Sequence, residues 1–238
     1  MTPTQQNTMN TVRKHCDELQ TALAELIRHE LTLHGRGGPH IVLGSETGLQ
    51  CCGEMHGLTS RKMAIWLRDE IPNWQNGPAW LVNDQQILAD CGKRFESAAL
   101  LMNAVCCHEL SHCLLIPKLC GDYEPADERG KQLFPLIVCD TKPAAQYEID
   151  NDQSLHGPAF IRMALHVRFR MIQRGWNVSF GDMMHWQRYC THPAEWCRMS
   201  LADEFQRLAE MPLSVIPHIP PPDVFLKLFE DSATLVES

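Results

Sequence analysis

The sequence predicts an α+β fold. A small sheet in the first half packs on one long apolar helix, and a mostly helical second half follows. Three observations carry this. Short runs suited to strands, at 41–43, 63–67 and 79–82, all precede residue 83. The longer run 95–115 has Phe95, Ala98, Ala99, Met102, Val105, Cys106 and Leu110 at three- and four-residue steps, the period of a helix. Beyond residue 157 the patterned segments carry helical spacing. A chain of 238 residues buries about 70–75% of its unfolded surface and needs no staples.

The elements follow in order. Residues 1–10 are polar and are expected to be a disordered N-terminus. Val12, Leu19, Leu23, Leu26, Ile27 and Leu31 space a first helix over 11–33, stopped by Gly35, Gly37, Gly38 and Pro39. Ile41-Val42-Leu43 is a strand, 44–60 an irregular glycine-rich stretch, and 63–67 a second strand. After the Pro- and Asn-bearing loop 72–78 comes a third strand, 79–82. The apolar helix 95–115 ends before Pro117. Its longest apolar run, 98–107, is broken by Asn103, and no run approaches the 18 residues of a membrane span. Residues 118–155 look like an insertion, polar over 118–131 and apolar over 133–138, with two open readings: a lid or substrate-selecting loop, or inert packing. Gly157-Pro158 opens a helix reaching Arg174. Further helices are expected near 183–189 and over 193–210. Five prolines between Pro212 and Pro222 predict an extended segment. The organisation is therefore a disordered lead at 1–10, one domain over 11–211 and a proline-rich C-terminal extension at 212–238.

Composition narrows the function classes. Hydrophobic residues at 44% and charged residues at 21% exclude wholesale disorder. A net charge of −8 gives no general attraction for phosphate backbones, so nucleic acid is not indicated as a partner, and neither is a membrane. The polar N-terminus lacks the basic start and apolar stretch of a secretory signal. A cytoplasmic location is expected, with the eleven cysteines reduced and used as small buried hydrophobes.

The chemistry lies in His108-Glu109-Leu110-Ser111-His112, an H-E-x-x-H pattern inside the apolar helix. Residues i and i+4 stand about 40° apart around a helix and one turn along it, so both imidazoles reach one point. Zinc takes histidine nitrogens at about 2.0–2.1 Å, and Glu109 beside them is placed to accept a proton from a metal-bound water. The chain carries its own control. His29-Glu30-Leu31-Thr32-Leu33-His34 has one residue more, which puts its histidines about 140° apart and bars them from sharing a metal. A buried pair of histidines beside a glutamate is costly without a partner, and a metal removes that cost. A third ligand is required, and Glu148, Asp150, Asp152 and His156 are the downstream candidates.

His108-Glu109-Leu110-Ser111-His112 followed by His156-Gly157-Pro158-Ala159-Phe160 resembles the SprT-like zinc metallopeptidases, the Spartan-type family. Its members pair H-E-x-x-H with a downstream H-G-x-x-F whose histidine is the third ligand. The likeness spans residues from about 15 to 170, with only the two motifs specific. It implies a zincin-like domain and a metalloendopeptidase acting on protein or peptide substrates. In it His108, His112 and His156 hold Zn2+ and Glu109 is the general base. The 43 residues between His112 and His156 exceed the spacing of compact members, residues 79–94 look like an insertion, and no C-x-x-C pairs follow.

Other readings stay open beside it. One is a non-catalytic, zinc-stabilised binding or regulatory protein on the same fold. Another is a different peptidase with an acidic third ligand. An extended substrate is expected to pair with an edge strand at 63–67 or 79–83. Tyr123, Tyr147 and His166 are candidates for stabilising the transition state. His185, Cys190, His192 and Cys197 suggest a second zinc site, though their spacing matches no standard pattern. Cys106, Cys107 and Cys113 read as core. Arg162, Arg168, Arg170 and Arg174 read as a solvated basic face or a contact for an acidic substrate.

Overall fold

The computed structural model describes residues 3–33, 37–47, 57–58, 77–92, 94–115, 158–184 and 201–227. The elements are α1 (Pro3–Leu26), α2 (Arg28–Leu33), β1 (His40–Leu43), α3 (Gly44–Thr47), β2 (Gly57–Leu58), β3 (Ala79–Val82), α4 (Asp84–Asp90), α5 (Phe95–Leu115), α6 (Pro158–Gln173), α7 (Phe180–Met183) and α8 (Leu201–Leu208). A 3-10 helix, Leu213–His218, and a helical turn at 223–227 follow. The architecture is α+β and mostly helical.

The fold is organised around α5. Every residue from Met102 to Leu115 is buried. α1, α4, α6, α7 and β3 all pack against this helix. An all-round apolar surface is what such a central position demands. By length and composition α5 could also cross a bilayer, contrary to the sequence expectation, but here the other elements cover it.

The sheet has the order β1-β3-β2. β1 runs parallel to β3 in the register His40↔Ala79 to Leu43↔Val82, and β2 runs antiparallel with Gly57↔Val82 and Leu58↔Leu81. β3 is the central strand and all four of its residues are buried, which explains its uninterrupted apolar sequence. β1's outer edge is covered by α1. Gln20 Oε1 accepts from Ile41 N at 2.8 Å, and Arg13 Nη2 donates to Ile41 O at 3.1 Å. Asp84 then joins α3 to α4, accepting from Ser45 N at 3.0 Å and Ser45 Oγ at 2.6 Å.

Three sequence expectations are corrected. First, 3–10 is helix rather than a disordered lead. Pro3 suits a first turn, where its missing N–H costs nothing, and Met9 packs on the core. The helix then continues through the predicted 11–33 with a break at Ile27, across which the bonds Ile27 N→Leu23 O and Leu31 N→Ile27 O persist. Second, 212–227 is part of the domain and not an extension. Leu213, Ile216 and Phe225 are buried, and Ser214 N donates to the buried Glu30 carboxylate at 2.9 Å. Prolines signalled a break from α-helix, but the apolar residues between them carry the burial. Third, the segment expected as an edge at 79–83 is an inner strand over 79–82: β1 pairs along its whole length, and β2 pairs at Leu81 and Val82. The predicted strand 63–67 and insertion 118–155 lie outside the described residues.

α6 and the C-terminal segment are joined by a buried polar cluster. Glu204 Oε1 accepts from Arg162 Nε at 2.9 Å and from His166 Nε2 at 2.8 Å. Arg162 Nη1 also donates to Ile216 O at 3.2 Å and Ile219 O at 2.6 Å. Arg170 Nη2 donates to Leu208 O at 2.8 Å.

Candidate metal centre

α5 brings His108 and His112 together as their spacing requires. Their Nε2 atoms lie 3.1 Å apart. Two nitrogens bound to one tetrahedral zinc at 2.0–2.1 Å stand about 3.3 Å apart, so the pair already has nearly the separation that a shared zinc imposes. His108, Glu109 and His112 are 9%, 7% and 6% exposed, which gives the site a largely water-excluded setting.

The hydrogen bonding of His108 selects the form a metal needs. Its Nδ1 lies 2.9 Å from Met183 O. A carbonyl only accepts, so Nδ1 carries the proton and Nε2 presents its lone pair toward His112. Burial pushes His108 down to about 4, against the opposing effect of the Met183 bond, so the ring is neutral at pH 7. Phe160, near the start of α6, packs on both imidazoles. Its ring stacks on His112 at 4.3 Å and 28°, and meets His108 edge-on at 4.9 Å and 64°. The donor type and the separation fit zinc, and His108 is in the form that binds; in the metal-free protein His112 Nε2–H donates to His108 Nε2, a proton that a shared metal would replace.

Among the described residues no third His, Cys, Asp or Glu completes a metal-binding group. His156, Glu148, Asp150 and Asp152 lie outside them, as do Tyr123, Tyr147, His185, Cys190, His192 and Cys197.

His166 does not serve this site. It is fully buried and its Nε2 is bonded to Glu204, so it belongs to the polar cluster behind α6. Burial lowers its pKa despite the neighbouring carboxylate. The predicted basic face is also dismantled. Arg162 and Arg170 are buried, Arg168 Nε donates to Val178 O at 2.8 Å, and Arg174 Nη1 donates to Arg170 O at 3.0 Å. These arginines bind backbone and Glu204. Cys106, Cys107 and Cys113 are buried thiols outside any disulfide among the described residues, as expected of core residues. Burial raises Cys106 and Cys107, the latter to about 12, which keeps both as neutral thiols. Of the control sequence, His34 lies outside the described residues. His29 is exposed, while Glu30 is buried against the Ser214 amide.

Sequence reasoning missed two contributors. Phe160 was read only as part of a motif, and its ring contacts with the histidines needed the fold. The Met183 carbonyl is backbone and carries no side-chain signal at all.

No known family, curated protein or solved structure matches this chain.

Proposed function

We propose that this chain is a zinc-dependent metallopeptidase of SprT-like, zincin-like type, hydrolysing peptide bonds in protein substrates. The observation that carries the reading is the 3.1 Å approach of two buried histidine Nε2 atoms on one helix face, with the buried Glu109 next in sequence to His108. His108 and His112 would hold the metal, with His156 as the third ligand implied by the H-G-P-A-F likeness. Phe160 touches both imidazoles and is only four residues from His156, a chain length that spans at most about 14 Å. Zinc bound there supplies Lewis acidity and lowers the pKa of a water to about 7.

The chain's own residues have distinct tasks. Glu109 accepts the proton of the attacking water and returns it to the leaving amine. Its burial keeps that carboxylate away from bulk solvent. The Met183 carbonyl holds His108 in the tautomer that binds, and Phe160 holds both rings in place. An extended peptide would be received on the β2 side of the sheet, since β1 pairs along the whole of β3, β2 pairs at Leu81 and Val82, and α1 covers the outer edge of β1.

The test is cleavage of an unfolded protein such as casein by zinc-loaded protein, beside Glu109→Gln. The expected outcome is about one zinc per chain in both. Cleavage should fall at least a hundredfold in the variant, in keeping with the loss of a general base. Zinc uptake with no cleavage by either protein would leave a zinc-stabilised binding protein instead. Negligible zinc from metal-replete protein sinks the reading altogether.

A further inference from the structure

We propose that Asn103 is a positioning residue of the metal centre, tethering the segment whose carbonyl sets the tautomer of His108. The proposal rests on the assignment of His108 and His112 as metal ligands. Asn103 is the polar residue that interrupts the apolar run 98–107, and it is 4% exposed. A buried amide is costly unless both of its ends are bonded. Both are. Nδ2 donates to Asn177 O at 2.9 Å, and Oδ1 lies 2.9 Å from His15 Nε2. An amide oxygen only accepts, so His15 donates to it and thereby fixes the direction in which the amide faces. His15 is itself held between Phe95, edge-on at 5.8 Å, and Trp176 at 5.7 Å.

From Asn177 the chain runs directly to Met183. Val178, Phe180 and Met183 are buried, Arg168 holds Val178 O, and Ser179 caps α7 by accepting from Asp182 N at 3.3 Å. The segment 177–183 is therefore a short strap lying on α5, bonded at its start to Asn103 and at its end to His108. The two anchor residues are about 7.5 Å apart along the helix axis. With the first anchor cut, Arg168 still holds Val178 O, but the strap loses its bond to α5 ahead of Phe180 and the Met183 carbonyl can draw away from Nδ1. His108 then takes the Nε2–H form, whose lone pair faces away from His112 and is lost to a shared metal.

The experiment reads the imidazole tautomers by 15N NMR in metal-free protein, then measures zinc affinity by chelator competition. The wild type should show His108 as Nδ1–H. Asn103→Asp keeps an acceptor for His15 but removes the donor to Asn177. It should mix the His108 tautomers and weaken zinc binding about ten- to a hundredfold, the range for partners that orient a ligand. A folded Asn103→Asp with an unchanged tautomer and unchanged zinc affinity overturns the proposal. Should that variant not fold, the wild type alone decides. An Nε2–H tautomer at His108, or no scalar coupling across the hydrogen bond from Asn103 Nδ2 to the Asn177 carbonyl, also overturns it. A wild type that binds no zinc refutes the metallopeptidase reading, while the His108 tautomer still reports whether Asn103 sets that imidazole.

Discussion

Glu204→Ala removes the carboxylate shared by Arg162 and His166. All three residues are buried, at 3%, 5% and 0% exposure, and both bonds end on one oxygen at 2.9 and 2.8 Å. After the substitution Arg162 keeps its bonds to Ile216 O and Ile219 O, but its Nε and its charge lose their partner inside the protein. Breaking a buried pair in this way costs about 3–5 kcal/mol, much of it from the stranded charge. That is a large share of the ~5–15 kcal/mol that holds a typical domain. Glu204→Gln keeps the volume and an acceptor, and should cost about 1–3 kcal/mol. Urea unfolding of the metal-free protein measures both, provided the slope is unchanged. A loss below about 1 kcal/mol for Glu204→Ala would falsify the assignment, because a pair that weak behaves like a solvent-exposed one. The cluster also sets an acid limit. Burial lowers His166 from 6.5, so the unfolded chain binds its proton first, and stability falls as pH drops below about 6.5. Burial raises Glu204, but its bonds to His166 and Arg162 outweigh this and lower it from 4.5, so its contribution is present above that pH and lost as pH falls through the folded value. Glu204→Ala should keep the first loss and abolish the second.

Two further predictions concern the centre itself. Phe160 is fully buried, so Phe160→Ala should cost about 3–5 kcal/mol by thermal or urea unfolding, whereas Phe160→Leu should cost less than about 1.5 kcal/mol but still weaken zinc binding by removing the face that stacks on His112. Equal zinc affinity in Phe160→Leu and wild type would show that the stack does not orient the ligand. Free zinc at a thousandfold above its dissociation constant should stabilise the wild type by about 4 kcal/mol, reversibly on adding chelator. His112→Ala should lose that increment. An equal increment in the variant would place the metal elsewhere.

The parts legible in the sequence were those governed by local periodicity. The helix 95–115, the pair His108 and His112 on one of its faces, and the strands at 41–43 and 79–82 all follow from spacing over a few residues. What was not legible depended on distant partners. The arginines of 162–174 looked like a solvated stripe because Glu204 and the carbonyls of Val178, Leu208, Ile216 and Ile219 lie far along the chain. The prolines of 212–222 suggested an extension because their signal concerns backbone shape, and gives no account of where Leu213 and Ile216 are buried. The N-terminal ten residues lacked a pattern because one apolar side chain, Met9, is enough to carry a first turn already joined to a long helix.

The comparison between the two histidine–glutamate sequences shows what turns a pattern into a site. Both place a glutamate next to a histidine on a helix, and both glutamates are buried. Glu30 meets the Ser214 amide and ties the first helices to the C-terminal segment. Glu109 instead follows His108 on the helix that carries two imidazoles whose Nε2 atoms converge. The spacing of His108 and His112 permits that convergence, but it does not produce it, since each ring is free to turn and either nitrogen can hold the proton. In this fold the second half of the chain removes that freedom. Phe160 bears on both rings, and Met183 binds Nδ1 of His108. Both come from the segments around α6 and α7, and α6 is in turn secured by Glu204. Selection of a single ring orientation therefore depends on contacts made by Phe160 and Met183, far beyond the motif in sequence, which is where substitutions should weaken metal binding without touching a ligand.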